Sequence, residues 1–386
     1  MSKHLLKFYP VQNGDTTLIT LTDKTTILID CKLRTSAEDP DDDTQYDVKK
    51  DILDSIQKRE NNPFVDLFIL THPDKDHCHG FDKHFYKGNP DNYKKENREN
   101  DEIMIDEMWV TTMLFNGVKN DDAKVFKEEA ERRRKLWEEN SEEKDKPGNR
   151  IRMVGYDGDE KFEKVPSVVP GEFIKQINGH SKDNFEFFVH GPFKKSLIES
   201  NATGDGNSSS VIMQARFKID ASDDNFACYY LFGGDADHYR WEQVLKKSKK
   251  YKHEEELKWD IFLTPHHCSW TFFNDTKYED NKTPKDSSLE ILDYKLEGGK
   301  IIAACKVIKN NDDNPPHYYA KVEYLKKVDN ESDFIELAKE PSEKSPAPVE
   351  FTVTKNGPTR SPKKSENRAI TSAGGLGSAS IAIKQG

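Results

Sequence analysis

Short apolar runs recur along the chain, and residues typical of turns separate them. Residues 5–9, 17–21 and 26–30 carry apolar side chains in runs or in alternation, and Asn13-Gly14 and Asp23-Lys24 fall between these segments. Alternation with a period of two, interrupted by such turn residues, is typical of β-strands. The pattern therefore predicts three strands of an opening sheet.

A helix and a buried strand are predicted next. Apolar positions at helical spacing predict a helix over residues 48–58, which Asn61-Asn62-Pro63 ends. The apolar run 65–70 predicts a buried strand. It continues without a linker into residues 71–80, which read Thr-His-Pro-Asp-Lys-Asp-His-Cys-His-Gly. We interpret this segment as a metal-binding loop at the end of the strand.

The rest of the chain alternates between charged and apolar segments. A highly charged helical pattern spans residues 121–143, and we predict that 119–166 is largely an insertion. After it, short apolar runs return, several of which end at a histidine or an aspartate. The further predicted strands are 108–110, 185–189, 209–217, 227–232, 259–263 and 300–306.

Side chains that bind cations stand at the ends of several predicted strands. Four of them follow the strand 65–70 within six positions, and three later strands each end near one more. Because strand ends meet at one edge of a sheet, these side chains could converge, and a binuclear metal site is the simplest explanation. The candidate ligands are His72, Asp74, Asp76, His77, His190, Asp235 and His266.

Length and composition indicate a globular α/β protein with one large catalytic domain. The chain has 386 residues, of which 34% are hydrophobic, and this is enough to form a full core. We place the catalytic domain at residues 1–330. Residues 331–386 are predicted to be a linker and a tail, since the chain from 342 is rich in Ser, Pro, Lys and Gly. The insertion or the tail could contact a protein partner.

Charge and cysteine content narrow the functional classes. The net charge of −11 argues against a wholly basic nucleic-acid-binding protein but allows a local basic groove. The basic run 246–252 is read as a solvated helix end without a site role. No apolar run is long enough to cross a membrane, the first residues do not resemble a signal peptide, and five scattered cysteines suit a reducing compartment. We therefore expect a soluble, cytoplasmic protein with no membrane contact.

Residues 71–80 resemble the first signature of the metallo-β-lactamase fold family, with Asp74 in place of the usual second histidine. The resulting His-x-Asp-x-Asp-His form is similar to the hydrolase domain of bacterial DNA-uptake competence channel proteins. The resemblance runs in order from about residue 8 to about residue 325. The other segments that carry it are Val11-Gln12-Asn13-Gly14-Asp15, Leu28-Ile29-Asp30-Cys31, Asn207-Ser208-Ser209-Ser210-Val211, Phe232-Gly233-Gly234-Asp235, Pro265-His266-His267-Cys268-Ser269 and Asn314-Pro315-Pro316-His317.

The resemblance implies a four-layer αββα sandwich with two divalent cations, Zn²⁺ or Mn²⁺, at one edge of paired sheets. In the family's pattern three ligands hold one ion, three hold the other, and an aspartate bridges them. The corresponding residues here are His72, Asp74 and His190; Asp76, His77 and His266; and the bridging Asp235.

Two residues depart from the family's pattern near the expected cleft. Lys32 follows Cys31 where the family usually has glycine, and Cys268 stands where Pro-His-His-Gly-Ser would be typical. Asp15 and Asp30 are read either as partners that orient ligands or as turn residues, and we favour the first interpretation for Asp30.

Charge counting supports hydrolytic chemistry apart from the resemblance. Two divalent cations bring about +4 and three aspartates about −3, which leaves about +1 for a hydroxide. We expect a metal-bridging hydroxide to attack a phosphorus centre, as in a phosphodiesterase or nuclease that acts on DNA or RNA. Asp76 would act as a catalytic ligand. Lys75, His267 and His317 are candidates for phosphate contact or acid catalysis, and His267 is favoured because it adjoins a ligand.

Two other functional classes remain open. The first is a small-molecule hydrolase for a cyclic nucleotide, phosphoester, lactone or amide, because one fold can support many reactions. The second is a non-catalytic, metal-stabilised component of a multiprotein system. Nucleic acid is the expected substrate. A bacterial multiprotein system such as phage defence is the context we expect for a hydrolase of this type.

Overall fold

The computed structural model describes residues 3–39 and 45–362, and it shows a mixed α/β protein. The α/β fold class predicted from the sequence is confirmed. The strands are β1 (Leu5–Phe8), β2 (Thr17–Thr20), β3 (Thr26–Ile29), β4 (Cys31–Lys32), β5 (Gln57–Arg59), β6 (Asn62–Ile69), β7 (Met104–Val110), β8 (Arg150–Val154), β9 (Ser167–Val168), β10 (Phe173–Ile174), β11 (Gln176–Ile177), β12 (His180–Ser181), β13 (Phe185–Gly191), β14 (Ile212–Phe217), β15 (Cys228–Phe232), β16 (Trp259–Leu263), β17 (Lys295–Ala303), β18 (Phe334–Glu336), β19 (Pro341–Ser342), β20 (Ser345–Pro346), β21 (Val349–Thr354) and β22 (Gly357–Arg360).

Helices follow or separate many of these strands. Within the described residues, no helix has the length and apolar character that a membrane span requires. The five cysteines are all buried and free, as the sequence predicted. The α-helices are α1 (Val48–Ser55), α2 (Lys75–Cys78), α3 (Phe81–His84), α4 (Lys95–Glu99), α5 (Asp121–Glu138), α6 (Lys194–Thr203), α7 (His238–Tyr251), α8 (Asp286–Asp293) and α9 (Tyr318–Leu325).

Most strands belong to two large mixed sheets. The first sheet has ten strands in the order β22-β21-β1-β2-β3-β6-β7-β8-β9, with β5 paired to β6. The second has seven strands in the order β10-β13-β14-β15-β16-β17-β18. The predicted opening strands form the antiparallel meander β1-β2-β3, and β3, β6, β7 and β8 then run parallel to one another. In the second sheet, β15 to β18 are parallel neighbours.

Three apolar clusters account for the packing of these elements. One cluster joins the two sheets directly, since it contains Phe8 of β1 together with Phe187 and Phe232 of the second sheet. A second cluster packs α1, α3 and α5 against the first sheet. The third packs α7, α8 and α9 against the second sheet. Each sheet is therefore buried on both faces, which explains why its parallel strands read as continuous apolar runs.

The ends of neighbouring parallel strands position the candidate site. β3 ends before Asp30, and β6 ends two residues before Thr71. In the second sheet, β15 ends before Gly233-Gly234-Asp235, and β16 ends before Thr264 and the histidines that follow it. The Val211 N–H donates to the Thr71 carbonyl at 3.0 Å, which links the two sheets at this edge. Parallel strands thus bring these loops to one place, as the sequence predicted.

The structure differs from the expected insertion at residues 119–166. Ala123, Phe126 and Ala130 of α5 are buried in the cluster that covers the first sheet. The segment also supplies β8, which pairs in parallel with β7. Its sequence resembled a solvated charged helix because charged residues dominate it, but two of them, Glu129 and Arg133, form a buried ion pair at 2.7 Å. This part of the chain belongs to the fold.

The structure also differs from the expected linker after residue 330, as far as residue 362. β18 pairs with β17 at the edge of the second sheet, and β21 pairs with β1 in the first. Alternating Val349, Phe351 and Val353 enter the cluster between the sheets, a signal that the Ser- and Pro-rich segment before them obscured. The expected tail at 363–386 lies outside the described residues.

Replacing Phe351 tests whether this late hairpin supports the domain. Its ring is fully buried and lies 6.1 Å from the ring of Phe8. We predict that Phe351→Ala lowers the free energy of unfolding by about 3 kcal/mol or more in urea denaturation, because it leaves a cavity between the sheets. Thr352→Ala, on the opposite face of the strand, is the control and should change it by about 0.5 kcal/mol at most. If Phe351→Ala lowers the free energy of unfolding no more than this control does, the Phe351 ring does not support the domain.

Asp260 predicts a pH dependence of stability. It lies on β16, and its Oδ2 accepts the Tyr229 N–H at 2.8 Å. Burial raises the pKa of its carboxyl to about 6, and the hydrogen bond from Tyr229 only partly opposes this shift. Because the folded state holds this proton more tightly than the unfolded state, the free energy of unfolding should fall as pH rises from about 4 to about 6. It should then stay lower above that range.

We predict that Asp260→Asn removes this fall and raises the free energy of unfolding at neutral pH by about 1–2 kcal/mol. Urea denaturation at a series of pH values measures both effects. Exposed Asp280→Asn is the matched control and should keep the wild-type profile. Identical profiles for Asp260→Asn and the wild type would contradict the prediction.

Candidate metal centre

A single buried carboxylate lies at the middle of the candidate site. Asp235 follows β15, and its side chain is only 4% exposed. The Nε2 atoms of four histidines surround it, two beside each carboxylate oxygen. The Nε2 distances are 3.1 Å for His77 and 3.5 Å for His267 to Oδ1, and 3.5 Å for His72 and 3.6 Å for His266 to Oδ2.

Each of these four imidazoles uses its other nitrogen, Nδ1, for a partner outside the cluster. Such partners orient a ring and determine which nitrogen carries the proton. The Nδ1 contacts are 2.8 Å from His77 to Oδ2 of Asp30, 3.1 Å from His72 to Oγ1 of Thr71, 3.1 Å from His266 to Oγ1 of Thr271, and 3.2 Å from His267 to the carbonyl oxygen of Ala304.

The hydrogen-bond pattern determines the tautomer of each neutral ring. A carboxylate and a carbonyl only accept, so Nδ1 of His77 and of His267 carries the proton. The Thr71 hydroxyl donates to Asp30 at 2.6 Å, and the Thr271 hydroxyl donates to Ser269 at 2.9 Å.

Because each threonine hydroxyl has only one proton, each must accept from the Nδ1–H of its histidine. In their neutral forms, all four rings therefore direct an Nε2 lone pair toward Asp235.

Several buried polar atoms of the cluster lack a hydrogen-bond partner. Nε2 of His72, Nε2 of His77, Oδ1 of Asp235 and Oδ1 of Asp15 are all buried and unsatisfied. Although some of them are close together, none meets another in hydrogen-bonding geometry. Leaving such atoms unpaired is costly, and a cation would satisfy them. Asp15, His77, Asp235 and His267 offer ligand atoms within 4.8 Å of one another, so this group could hold a metal ion.

The two remaining aspartates of the motif have different neighbours, and Asp74 is exposed whereas Asp76 is half-buried. Oδ2 of Asp76 is 3.1 Å from Nε2 of His267. Asp74 lies beside His72 at Gly206, where an added Cβ would come within 2.9 Å of Oδ1 of Asp74 and 3.6 Å of the His72 ring. Glycine at 206 thus permits this close approach. Asp76 belongs with His77 and His267, and Asp74 with His72.

A strained loop presents the two adjacent histidines. His266, His267 and Cys268 all have positive φ angles, of 48°, 53° and 64°, which is unusual for residues with a side chain. The His266 N–H donates to the Gly234 carbonyl at 3.1 Å, and Gly234 has no Cβ that would meet Thr71. Cys268 adopts the left-handed backbone conformation that glycine favours.

Electrostatics within the cluster favour positive charge next to Asp235. Burial opposes the charged forms of His77 and His267, but the carboxylates outweigh it and raise the pKa of both, that of His267 to about 10; at His266 burial prevails and lowers the pKa. Burial also opposes ionisation of Asp235, yet the surrounding histidines lower its pKa well below the usual range. Protons and a cation therefore compete for the same Nε2 positions.

The structure does not bring His190 to this cluster, in contrast to the prediction. Its Nε2 donates to the Glu256 carbonyl at 2.8 Å, and its ring packs against Phe188. Phe187 and Val189 face the cluster between the sheets, so the alternation of β13 directs His190 to the other face. A register shift at this position ends the regular pairing with β14. From the sequence alone, a histidine at the end of a strand could lie on either face of the sheet.

The structure also changes the expected grouping of the adjacent histidines. His266 had been grouped with Asp76 and His77, but His267 lies beside them instead, and His266 lies on the side of His72. Either histidine of a His-His pair could be assigned to either ion from the sequence. The left-handed loop decides which ring faces which oxygen of Asp235.

His317 and Lys75 lie around the cluster but do not join it. His317 is buried beside Trp270 and Tyr278, with ring centroids 5.7 and 5.1 Å away, and its N–H donates to the Cys268 carbonyl at 2.9 Å. This backbone hydrogen bond anchors the loop that carries His266 and His267. Lys75 is exposed and lines an open cavity together with Asp76.

The sequence did not indicate that Asp15 lies in the cluster, whereas the favoured interpretation of Asp30, as a partner that orients a ligand, agrees with the structure. Asp30 orients His77 and also accepts the Thr71 N–H at 2.7 Å. Asp15 lies in the cluster itself, with Oδ1 3.6 Å from Nδ1 of His267. Asp15 ends a segment that carries the resemblance, but it also directly follows the Asn13-Gly14 turn, a position equally typical of an ordinary turn residue.

Comparison with known proteins does not assign the chain to a family. No family model matches the sequence, and no curated protein matches it either. Conclusions about the site therefore rest on its own geometry.

Asp30→Asn tests the role of the carboxylate that orients His77. The Thr71 N–H requires an oxygen at Oδ1, so the new amide would place its NH₂ group toward Nδ1 of His77. That arrangement favours a proton on Nε2, which blocks the lone pair. We predict that affinity for Zn²⁺, measured by chelator competition, falls about 10–100-fold.

Asp66→Asn is the matched control. Asp66 is a largely buried carboxylate on β6 that accepts the N–H of Thr26, on the neighbouring β3, at 2.8 Å. Its replacement should leave the affinity for Zn²⁺ at the wild-type value. Equal affinity in Asp30→Asn and the wild type would contradict the assigned role.

Proposed function

We propose that the protein is a binuclear-metal hydrolase of the metallo-β-lactamase fold that acts as a phosphodiesterase on nucleic acid. One observation carries the proposal: two histidine Nε2 atoms lie beside each oxygen of the buried Asp235 carboxylate. A carboxylate shared between two cations needs this arrangement, whereas a site for one cation does not.

The architecture supports the fold assignment. The two sheets share one apolar cluster, and helices cover the other face of each sheet. We interpret this arrangement as the four-layer αββα sandwich of the family. The site lies where loops from both sheets meet, which is the place that the resemblance implies for the metals.

The ligands divide into two groups on the two sides of Asp235. His77, His267 and Asp76 would hold one ion near Oδ1, and His72, His266 and Asp74 would hold the other near Oδ2. Asp15 would add a further oxygen on the side of His267. Divalent cations bound here would lower the pKa of a water molecule and polarise a phosphoryl oxygen. Imidazole and carboxylate ligands suit Zn²⁺ and Mn²⁺.

The chain's own groups have distinct roles in this proposal. His267 was favoured as an acid, but its side chain is fully buried. Its Nδ1 contacts the Ala304 carbonyl and its Nε2 lies beside Asp235, so it would act as a ligand instead. His317 is 3% exposed behind the loop and positions it. Lys75, at the open side next to Asp76, is the group that can contact the substrate's phosphate.

Phosphate is the substrate group that best matches the surroundings of the cluster. Lys32, Arg34 and Lys75 line the open cavity at Asp76, which has a volume of about 710 Å³. Three cationic side chains beside a metal centre favour an anionic ester over a neutral lactone or amide. This observation supports phosphodiester hydrolysis over the other reactions that the fold could support.

Metal analysis combined with hydrolysis tests the proposal. We predict that the purified protein binds about two divalent ions and hydrolyses labelled DNA or RNA when Mn²⁺ or Zn²⁺ is supplied. Asp235→Asn should reduce the rate by more than about a hundredfold, beyond the loss typical of residues that only orient ligands. Exposed Asp280→Asn is the control and should keep both metals and the full rate.

Single-ligand variants distinguish the two ions. His77→Ala should lower the stoichiometry on the Oδ1 side, and His72→Ala should lower it on the Oδ2 side, each to about one ion per chain. A wild-type protein that binds no metal, or that binds two ions and hydrolyses no phosphodiester, would contradict the proposal.

A further inference from the structure

Two open cavities meet at Arg34 on the side of the cluster that carries Asp76. The first, of about 710 Å³, is lined by Lys32, Lys75 and Asp76 among others. The second, of about 470 Å³, is lined by Lys306 and Lys309 among others. Arg34 lines both cavities, so the two cavities adjoin at this side chain, and the first of them also contains Asp76.

Among the described residues that line the two cavities, cationic side chains outnumber carboxylates. Within the described part of the chain, the ammonium groups of Lys75 and Lys309 make no ion pair or hydrogen bond. Lys306 is paired with Asp313 at 2.8 Å. The carboxylates that face the surface are Asp76, Asp313 and Glu343, and Asp76 is engaged with His267. The surface therefore has excess positive charge close to the reaction centre.

Lys32 is positioned by the fold and not by a carboxylate partner. Its ammonium group donates to the Asn13 carbonyl, and its side chain passes close over Gly14, where an added Cβ would collide with it. Burial lowers its pKa, and the positive charges of Arg34 and Lys75 add to this effect, whereas the carboxylates of Asp76 and Asp15 oppose it. A bound anion would relieve the repulsion among these three cations.

We propose that a nucleic-acid backbone binds along this surface, which we call the basic track and define as Lys75, Lys32, Arg34, Lys306 and Lys309. Successive phosphates would contact the cations of the first cavity, pass Arg34 and reach the second cavity. A polymer uses both cavities at once, whereas a small phosphoester fills only the one beside Asp76. The inference rests on the proposed function and deepens it, since it names the surface along which the nucleic-acid substrate would leave the metal centre.

The test measures binding separately from hydrolysis. A fluorescent single-stranded phosphorothioate oligonucleotide retains its charge and resists cleavage, so anisotropy reports binding to the protein as purified. We expect wild-type affinity to fall steeply with salt and to rise with oligonucleotide length until both cavities are occupied. Lys75→Gln and Lys309→Gln should each weaken binding several-fold and reduce the slope of log K against log salt by about 0.7.

Lys246→Gln is the matched control. Lys246 is a largely exposed lysine in the basic run of α7, outside both cavities, and it pairs with Glu242 at 2.8 Å. Its replacement should change neither affinity nor slope. If Lys246→Gln weakens binding as much as Lys309→Gln, or if neither track variant changes the salt dependence, the basic track is refuted.

Failure of the track and failure of the proposed hydrolase give different results. If the protein binds oligonucleotides through Lys75 and Lys309 but does not hydrolyse them with Mn²⁺ or Zn²⁺, the basic track is supported and the phosphodiesterase proposal is refuted. If the protein hydrolyses a small phosphodiester and Lys309→Gln binds oligonucleotides like the wild type, the hydrolase proposal is supported and the basic track is refuted.

Discussion

The arrangement around Asp235 depends on keeping a carboxylate charged where water is nearly absent. An anion with a 4% exposed side chain is stable only if positive groups or hydrogen bonds compensate for lost hydration. His77 and His267, whose pKa values are raised, supply this positive charge when protonated, and each of the four imidazoles is held by a separate outer partner. The loops at Asp30, Thr71 and Thr271 therefore have a common function, because each determines where a ring lies relative to the same charge.

The two sheets make this concentration of charge possible. Each sheet contributes loops from the ends of neighbouring strands, and the apolar cluster between the sheets holds those ends in register. Glycine at 206 and 234 lets the second sheet's loops approach the His72 loop closely. Packing far from the cluster thus sets distances within it, since a shift of one sheet against the other would separate the ligands.

Sequence reasoning succeeded where a side chain followed directly from its strand. His72, Asp76, His77, Asp235 and His266 were expected at one edge of the sheets, and the structure brings them together there. It failed where the backbone departs from regular geometry. His190 lies at a register shift on the wrong face of β13, and the order of His266 and His267 depends on a left-handed loop. No periodicity in the sequence records either feature. The late strands from Phe334 onward were missed because polar and proline-rich segments separate them.

The left-handed conformation of His266, His267 and Cys268 has a consequence for how firmly a cation is retained. Each such residue costs about 1–2 kcal/mol relative to ordinary backbone, so the loop is held in place by its contacts and by whatever its histidines bind. Part of the binding free energy of a cation is spent on maintaining the loop. A cation held by these histidines would therefore exchange more readily than one in a relaxed site with the same ligands, and occupancy of the site would follow the supply of metal around the protein.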